Sequence, residues 1–216
     1  MKPAVTLFKL LLLGALAIAV SGCAGRYFKP AAAPAAVDRY ALVELPHTEH
    51  WTGIVFNGAK IGFAHTRLSA LPDGDFEIRS EASLLLQFLG IEKRFRLRSI
   101  DVVGPDLALK RFEANHHIDG SDLYLEGERL SGELRVRITN AEAVREHRYT
   151  VDDAVLPTSA ILLYPTTRGL EVGRAYRFKV FSTETQQISE VEQRIVGYQT
   201  SELFEGEAYK IITRLQ

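Results

Sequence analysis

Apolar and polar side chains alternate with a period of two along most of the chain after Trp51, in short segments separated by turn residues. This is the pattern of a strand with one face on a core and the other in water. Pairs such as Asn57-Gly58 and Asp73-Gly74 accommodate the positive φ of tight turns. The predicted strands are 51–56, 60–68, 76–86, 92–100, 107–118, 122–126, 129–138, 145–151, 174–182, 186–196 and 208–215, with a turn at 101–106 and an interruption at Gly127.

Strands at this spacing, with almost no long helix, predict one antiparallel all-β domain over residues 47–216. A single flat sheet would leave its apolar face in water, so the sheet must curl into a barrel or half-barrel, or fold over as a sandwich. One short helix is expected over 159–164. Ser and Thr after Pro157 can cap its first amides, and Pro165 is expected to end it.

Two features of the predicted strands leave alternatives open. Arg94, Arg96 and Arg98 alternate with apolar residues and are interpreted as a solvent face, although such a stripe also suits lipid headgroups. The apolar run 84–89 is either a strand buried on both faces or an exposed lip for lipid or a partner. The segment 160–164 could likewise close one end of a barrel or gate a cavity. The candidate apolar binding surface therefore consists of Leu85, Phe88, Leu89, Leu162 and Leu163.

Composition argues against several function classes. The net charge of −1 and a pI near 6.6 give no excess of positive charge for a nucleic acid. The chain contains no Gly-x-Ser-x-Gly, His-Glu-x-x-His or Gly-rich phosphate motif. His116 and His117 are adjacent on a predicted strand, so they point to opposite faces and cannot chelate one metal. We therefore expect no catalytic residues, no metal and no cofactor.

The N-terminal residues 1–22 are typical of a targeting segment. Lys2 and Lys9 precede an apolar run that is too short for a transmembrane helix. The run ends in Val20-Ser21-Gly22-Cys23, which resembles the lipobox of bacterial lipoproteins. The resemblance implies cleavage between Gly22 and Cys23 and a palmitate-type lipid on Cys23. The alternative is an ordinary secretory signal with an incidental cysteine.

The residue after the cysteine bears on sorting, because Ala24 lacks the Asp that commonly retains such lipoproteins in the inner membrane. The resemblance therefore implies a lipid anchor in the outer membrane, facing the periplasm. Residues 23–46, rich in Ala and Pro, are predicted to be an extended tether between the lipid and the domain.

A second resemblance covers most of residues 51–216. The opening Trp51-Thr52-Gly53-Ile54 with Asn57–Phe63, and the later stretch 157–181 with its Leu170-Glu171-Val172-Gly173, are similar to periplasmic domains that precede bacterial transglutaminase-like modules. They are also similar to a related periplasmic family of unknown function. The Cys-His-Asp module of such enzymes would follow this domain, so no catalytic residue is carried over.

Three functions follow as hypotheses. The first is a non-enzymatic, lipid-anchored protein whose β domain binds a protein partner or an amphiphile. The second is an accessory or truncated part of a transglutaminase-like enzyme. The third is a lipid or lipoprotein carrier resembling the sorting factors LolA and LolB, which would require an apolar cavity of several hundred Å³.

Overall fold

The computed structural model describes residues 28–56, 59–88, 91–151, 153–201 and 206–216. They form two sheets packed face to face, as in the sandwich that the sequence analysis left open beside the barrel and half-barrel. The larger sheet is an antiparallel meander of eight strands: β2 (Glu49–Phe56), β3 (Ala59–Ala70), β4 (Phe76–Phe88), β5 (Ile91–Val103), β6 (Leu109–Ile118), β7 (Ser121–Leu130), β8 (Glu133–Thr139) and β9 (Val144–Thr150). Its end strands β2 and β9 do not pair, so among the three predicted forms a closed barrel is excluded.

The smaller sheet has the order β1-β12-β11-β10, with β13 also paired to β12. Its strands are β1 (Phe28–Pro30), β10 (Val155–Pro157), β11 (Ala175–Ser182), β12 (Gln187–Ser201) and β13 (Glu207–Leu215). The β10–β11 pair is parallel and the others are antiparallel. One face of the larger sheet, which we call the inner face, packs on this sheet, and the outer face points the other way.

The core consists of two apolar clusters between the sheets. The first is built around Ile78, Val103 and Phe178, and the second around Leu125, Val136 and Phe181. The predicted alternation is confirmed here, because Leu134, Val136 and Ile138 are buried while Arg135 and Arg137 are exposed. Arg94, Arg96 and Arg98 are likewise exposed on the outer face.

The predicted short helix is present, but it begins four residues later than expected. A 3₁₀ turn spans Thr158–Ala160, and α1 spans Leu163–Arg168. Pro165, expected to end the helix, is instead its third residue. Proline is tolerated there because the first amides of a helix have no carbonyl partner within it.

Gly127 does not interrupt the strand pattern, contrary to the sequence-based expectation. Strand β7 runs through it, and the turn lies at Ser131 and Gly132, which both have positive φ. Gly127 faces Phe112 of β6, and a Cβ at this position would overlap the Phe112 ring. The glycine thus permits the close approach of an aromatic side chain.

Residues from Phe28 onwards, predicted to belong to the tether, contact the domain. Phe28 pairs with Ser201 of β12, and the Tyr40 amide donates a hydrogen bond to the carbonyl of Thr166. Leu42 is buried in the first core cluster. An extended tether over the whole of 23–46 is therefore wrong. Alanine and proline allow an extended chain, but they do not prevent its docking.

The predicted hairpin at Asn57-Gly58 is present as a strand pair. Phe56 of β2 lies opposite Ala59 of β3, and the two connecting residues are outside the described part of the chain. The predicted turn at Asp73-Gly74 is also present, with Gly74 at a φ of 88°.

Candidate functional site

The hairpins β2–β3 and β4–β5 carry apolar inner-face residues that the smaller sheet does not cover. We call the described residues among 51–66 and 80–98 the arm. The inner face of the arm contains Ile54, Leu84, Leu86 and Phe95, all half-buried and outside both core clusters. Contiguous apolar surface outside a core is typical of sites that contact another molecule.

The uncovered stretch begins where the smaller sheet ends. The turn between β11 and β12 carries Thr183 and Glu184, which together with Ala82 and Leu97 of the arm line a cavity of about 100 Å³. A neighbouring cavity of about 150 Å³ is also lined by Thr183 and Glu184. Ala64 and Ala82, which are opposite each other on β3 and β4, line the first cavity.

A hydrogen-bonded polar group lies beside these cavities. The buried Asp101 of β5 accepts hydrogen bonds through Oδ2 from the hydroxyls of Ser159, at 2.7 Å, and Ser99, at 3.1 Å. Burial raises the pKa of Asp101 to about 6, an effect that the two hydroxyls oppose and that Glu184 strengthens through charge repulsion. Burial is costly for a carboxylate, and the hydroxyls offset part of this cost.

The neighbouring His116 of β6 belongs to a separate contact. Its Nε2 lies 3.3 Å from the hydroxyl of Thr183, and burial lowers its pKa and so favours the neutral ring. His117 points to the other face and lies 2.9 Å from Asp122. The opposite orientation predicted for the two histidines is therefore confirmed. In the described part of the chain, no hydrogen bond links His116 to Asp101 or Ser159.

Sequence reasoning missed Asp101 because the run 101–106 is rich in turn residues. In the structure β5 continues to Val103, and the turn follows it. The available signal was the alternation itself, which places Asp101 on the same face as Phe95, Leu97 and Ser99.

The outer surface of the arm is also apolar and aromatic. Trp51 is 66% exposed and stacks on the His65 ring with a centroid separation of 4.1 Å. Phe63 lies beside it, at 5.6 Å between ring centroids. Val55 and Phe56 at the end of β2 are more than half exposed. The arm therefore presents apolar side chains on both of its faces.

A wide charged groove lies elsewhere, on the outer face of β5–β9. Its volume is about 620 Å³, and it joins a second depression of about 460 Å³ through shared residues that include Ile100 and Glu113. Val102 on its floor is buried although it belongs to neither core cluster. Arginine and glutamate side chains form most of the remaining lining.

The structure does not bring together the residues predicted as one apolar surface. Leu85 lies on the outer face of β4 and is 37% exposed. Leu162 is exposed beside α1, and Leu163 packs on the first core cluster, which includes Phe76 at the opposite end of β4. Leu84 and Leu86, which sequence reasoning did not single out, lie instead on the inner face of β4, where Leu84 is opposite Phe95 of β5.

Three of the predicted site residues lie outside the described part of the chain: Gly22, Cys23 and Leu89. Phe88 ends β4 opposite Ile91 of β5. Within the described ranges there is no group of three or more His, Cys, Asp or Glu side chains arranged to hold a metal ion. None of the described helices is both long and apolar enough to cross a membrane.

Comparison with known proteins gives no match: no family model, no curated protein and no solved structure is significantly similar to the chain.

Proposed function

We propose that the chain is a lipid-anchored periplasmic protein of the outer membrane, without enzymatic activity, whose β domain binds an amphiphile through the inner face of the arm. The anchor rests on the sequence around Cys23 and on the short apolar run before it. The proposal of amphiphile binding is based on the apolar residues that the smaller sheet leaves uncovered. A protein partner with an apolar segment is the alternative occupant of the same surface.

The observation that carries the proposal is the contrast between the two ends of β4 and β5. Ile78 and Val103 are fully buried between the sheets, whereas Leu84, Leu86 and Phe95 further along the same strands are only half-buried. Half-buried apolar side chains lose further contact with water when an acyl chain covers them. The free energy gained is about 25 cal/mol per Å² of apolar area removed from water.

The small size of the two cavities beside Thr183 and Glu184 supports binding on an open surface rather than inside a closed carrier of the LolA or LolB type. Their volumes are about 150 and 100 Å³. Ligand pockets usually begin at roughly 300 Å³. An acyl chain therefore fits along the arm better than within the core.

We assign the buried polar residues a structural role rather than a catalytic one. Asp101 is bonded to Ser159 and Ser99, and His116 contacts Thr183. These two contacts are separate, so they do not form the linked nucleophile, base and orienting group that nucleophilic catalysis requires.

Titration of the full chain with a fluorescent fatty acid tests the proposal. Leu84→Ser should weaken binding, because it places a hydroxyl on the proposed contact surface. The matched control is Leu130→Ser, at a leucine of β7 that is 41% exposed and lies outside the arm. Thermal unfolding of both variants checks that the fold is retained. An absence of saturable binding by the wild-type chain, or equal weakening by both variants, would contradict amphiphile binding.

A further inference from the structure

The charged groove on the outer face carries two pairs of like charges that face each other across neighbouring strands. Glu113 of β6 lies opposite Glu126 of β7, and Arg135 of β8 lies opposite Arg148 of β9. Like charges directly opposite in a sheet are destabilising. Each pair therefore has a cost that a ligand of the opposite charge would remove.

Ion pairs with other residues balance the charge of only one residue in each like-charged pair. Arg137 donates a hydrogen bond to Glu126, and Arg135 donates one to Glu133, each at 3.3 Å. Among the described residues, Glu113 and Arg148 form no ion pair. Both line the groove, so each can form an ion pair with a ligand that occupies it.

The spacing of the two pairs sets the length of the ligand. Their centres are separated by two strand spacings across the sheet and by one two-residue step along it, a distance of about 12 Å. An extended chain of four residues has about this length, at roughly 3.3 Å per residue. The volume of about 620 Å³ accommodates such a chain.

We propose that the groove binds an extended zwitterionic peptide of about four residues. Its amino group lies between Glu113 and Glu126, and its carboxylate lies between Arg135 and Arg148. Ile100 and Val102 border the groove and provide apolar contact for the body of the peptide. This site is independent of the arm, and it does not rest on amphiphile binding.

Tetra-alanine is a direct probe, because its only charges are its two termini. Calorimetric titration of the full chain should show saturable binding of tetra-alanine. Acetylation of its amino end and amidation of its carboxyl end should each reduce affinity about tenfold or more, since each removes a charge-assisted contact. Binding that is absent, or that is unaffected by both modifications, would overturn the proposal.

Substitutions distinguish binding in the groove from attraction of the peptide to surface charge in general. Arg148→Ala and Glu113→Gln should each weaken tetra-alanine binding about tenfold, by removing one partner of a charge-assisted hydrogen bond. Arg96→Ala is the matched control, because Arg96 is an exposed arginine on the outer face of β5 outside the groove. Equal losses in Arg148→Ala and Arg96→Ala would overturn the assignment.

A second measurement combines the stability of the unliganded chain with the binding of tetra-alanine. Arg148→Glu places opposite charges across β8 and β9, so it should raise the melting temperature of the unliganded chain and abolish tetra-alanine binding. A variant that is more stable yet still binds tetra-alanine with wild-type affinity would show that Arg148 has no part in a site.

Discussion

The hydroxyl of Ser159 donates a 2.7 Å hydrogen bond to Oδ2 of Asp101, and this bond connects the two sheets. Asp101 lies on β5 of the larger sheet, and Ser159 lies in the 3₁₀ turn that follows β10 of the smaller sheet. The same carboxylate oxygen accepts a bond from Ser99. A buried carboxylate with two hydroxyl donors is held in one position, but its negative charge remains expensive.

The pH dependence of stability should report Asp101. Burial raises its pKa from 3.8 to about 6, so between these pH values the folded chain holds a proton that the unfolded chain has lost. The free energy of unfolding should therefore fall as pH rises from about 4 to about 6, by an amount on the order of 2–3 kcal/mol from this group.

Asp101→Asn isolates this contribution, because asparagine keeps an oxygen that can accept from Ser159 and Ser99 but does not ionise. Urea unfolding at pH 4.5 and pH 7 is the measurement. The variant should lose less stability between the two pH values than the wild type does. Identical losses would show that Asp101 does not titrate in this range.

Gly127 should be intolerant of a side chain. Its backbone lies against the Phe112 ring, which packs on Phe181 at a centroid distance of 5.2 Å. Gly127→Ala should cost about 1–3 kcal/mol of unfolding free energy through overpacking. Gly197→Ala is the matched control, since a Cβ there meets no atom within 4 Å. Urea denaturation of both variants is the measurement. Equal stabilities would show that the close approach of the Phe112 ring is not the reason for glycine at position 127.

The period of two predicts the strands well because strands such as β6 and β8 have one buried and one solvated face. The same pattern could not show which strands share a sheet, because pairing between β1 and β12, or between β10 and β11, depends on residues far apart in the chain. It also could not show that β4 and β5 continue past the smaller sheet. For this reason Leu84 and Leu86 differ from Ile78 in burial although they have the same place in the alternation.

The N-terminal anchor remains a prediction with a direct test. Cys23→Ser should abolish incorporation of labelled palmitate, because serine lacks the thiol to which the lipid is attached. The wild-type chain should partition into detergent, and the variant should remain in the aqueous phase. From Cys23 to Phe28 the chain spans at most about 18 Å, so an anchored domain would lie close to its membrane. Lack of labelling in the wild type would contradict the anchor.

Leucine and isoleucine positions on β4 should differ sharply in their contribution to stability. Ile78 has no exposed surface and packs in the first core cluster, so Ile78→Ala should cost about 2–5 kcal/mol. Leu85 lies seven residues further along on the outer face and is 37% exposed, so Leu85→Ala should cost less than about 1 kcal/mol.

Thermal unfolding combined with fatty-acid titration distinguishes the roles of these two positions. Leu85 is on the face opposite the proposed acyl-chain surface, so Leu85→Ala should bind the fluorescent fatty acid as the wild type does. Leu84→Ala, one residue away and on the inner face, should bind it more weakly with a similar melting temperature. If Leu85→Ala weakened binding as much as Leu84→Ala, the ligand would occupy the aromatic outer side of the arm beside Trp51 and Phe63, and the inner-face assignment would be wrong.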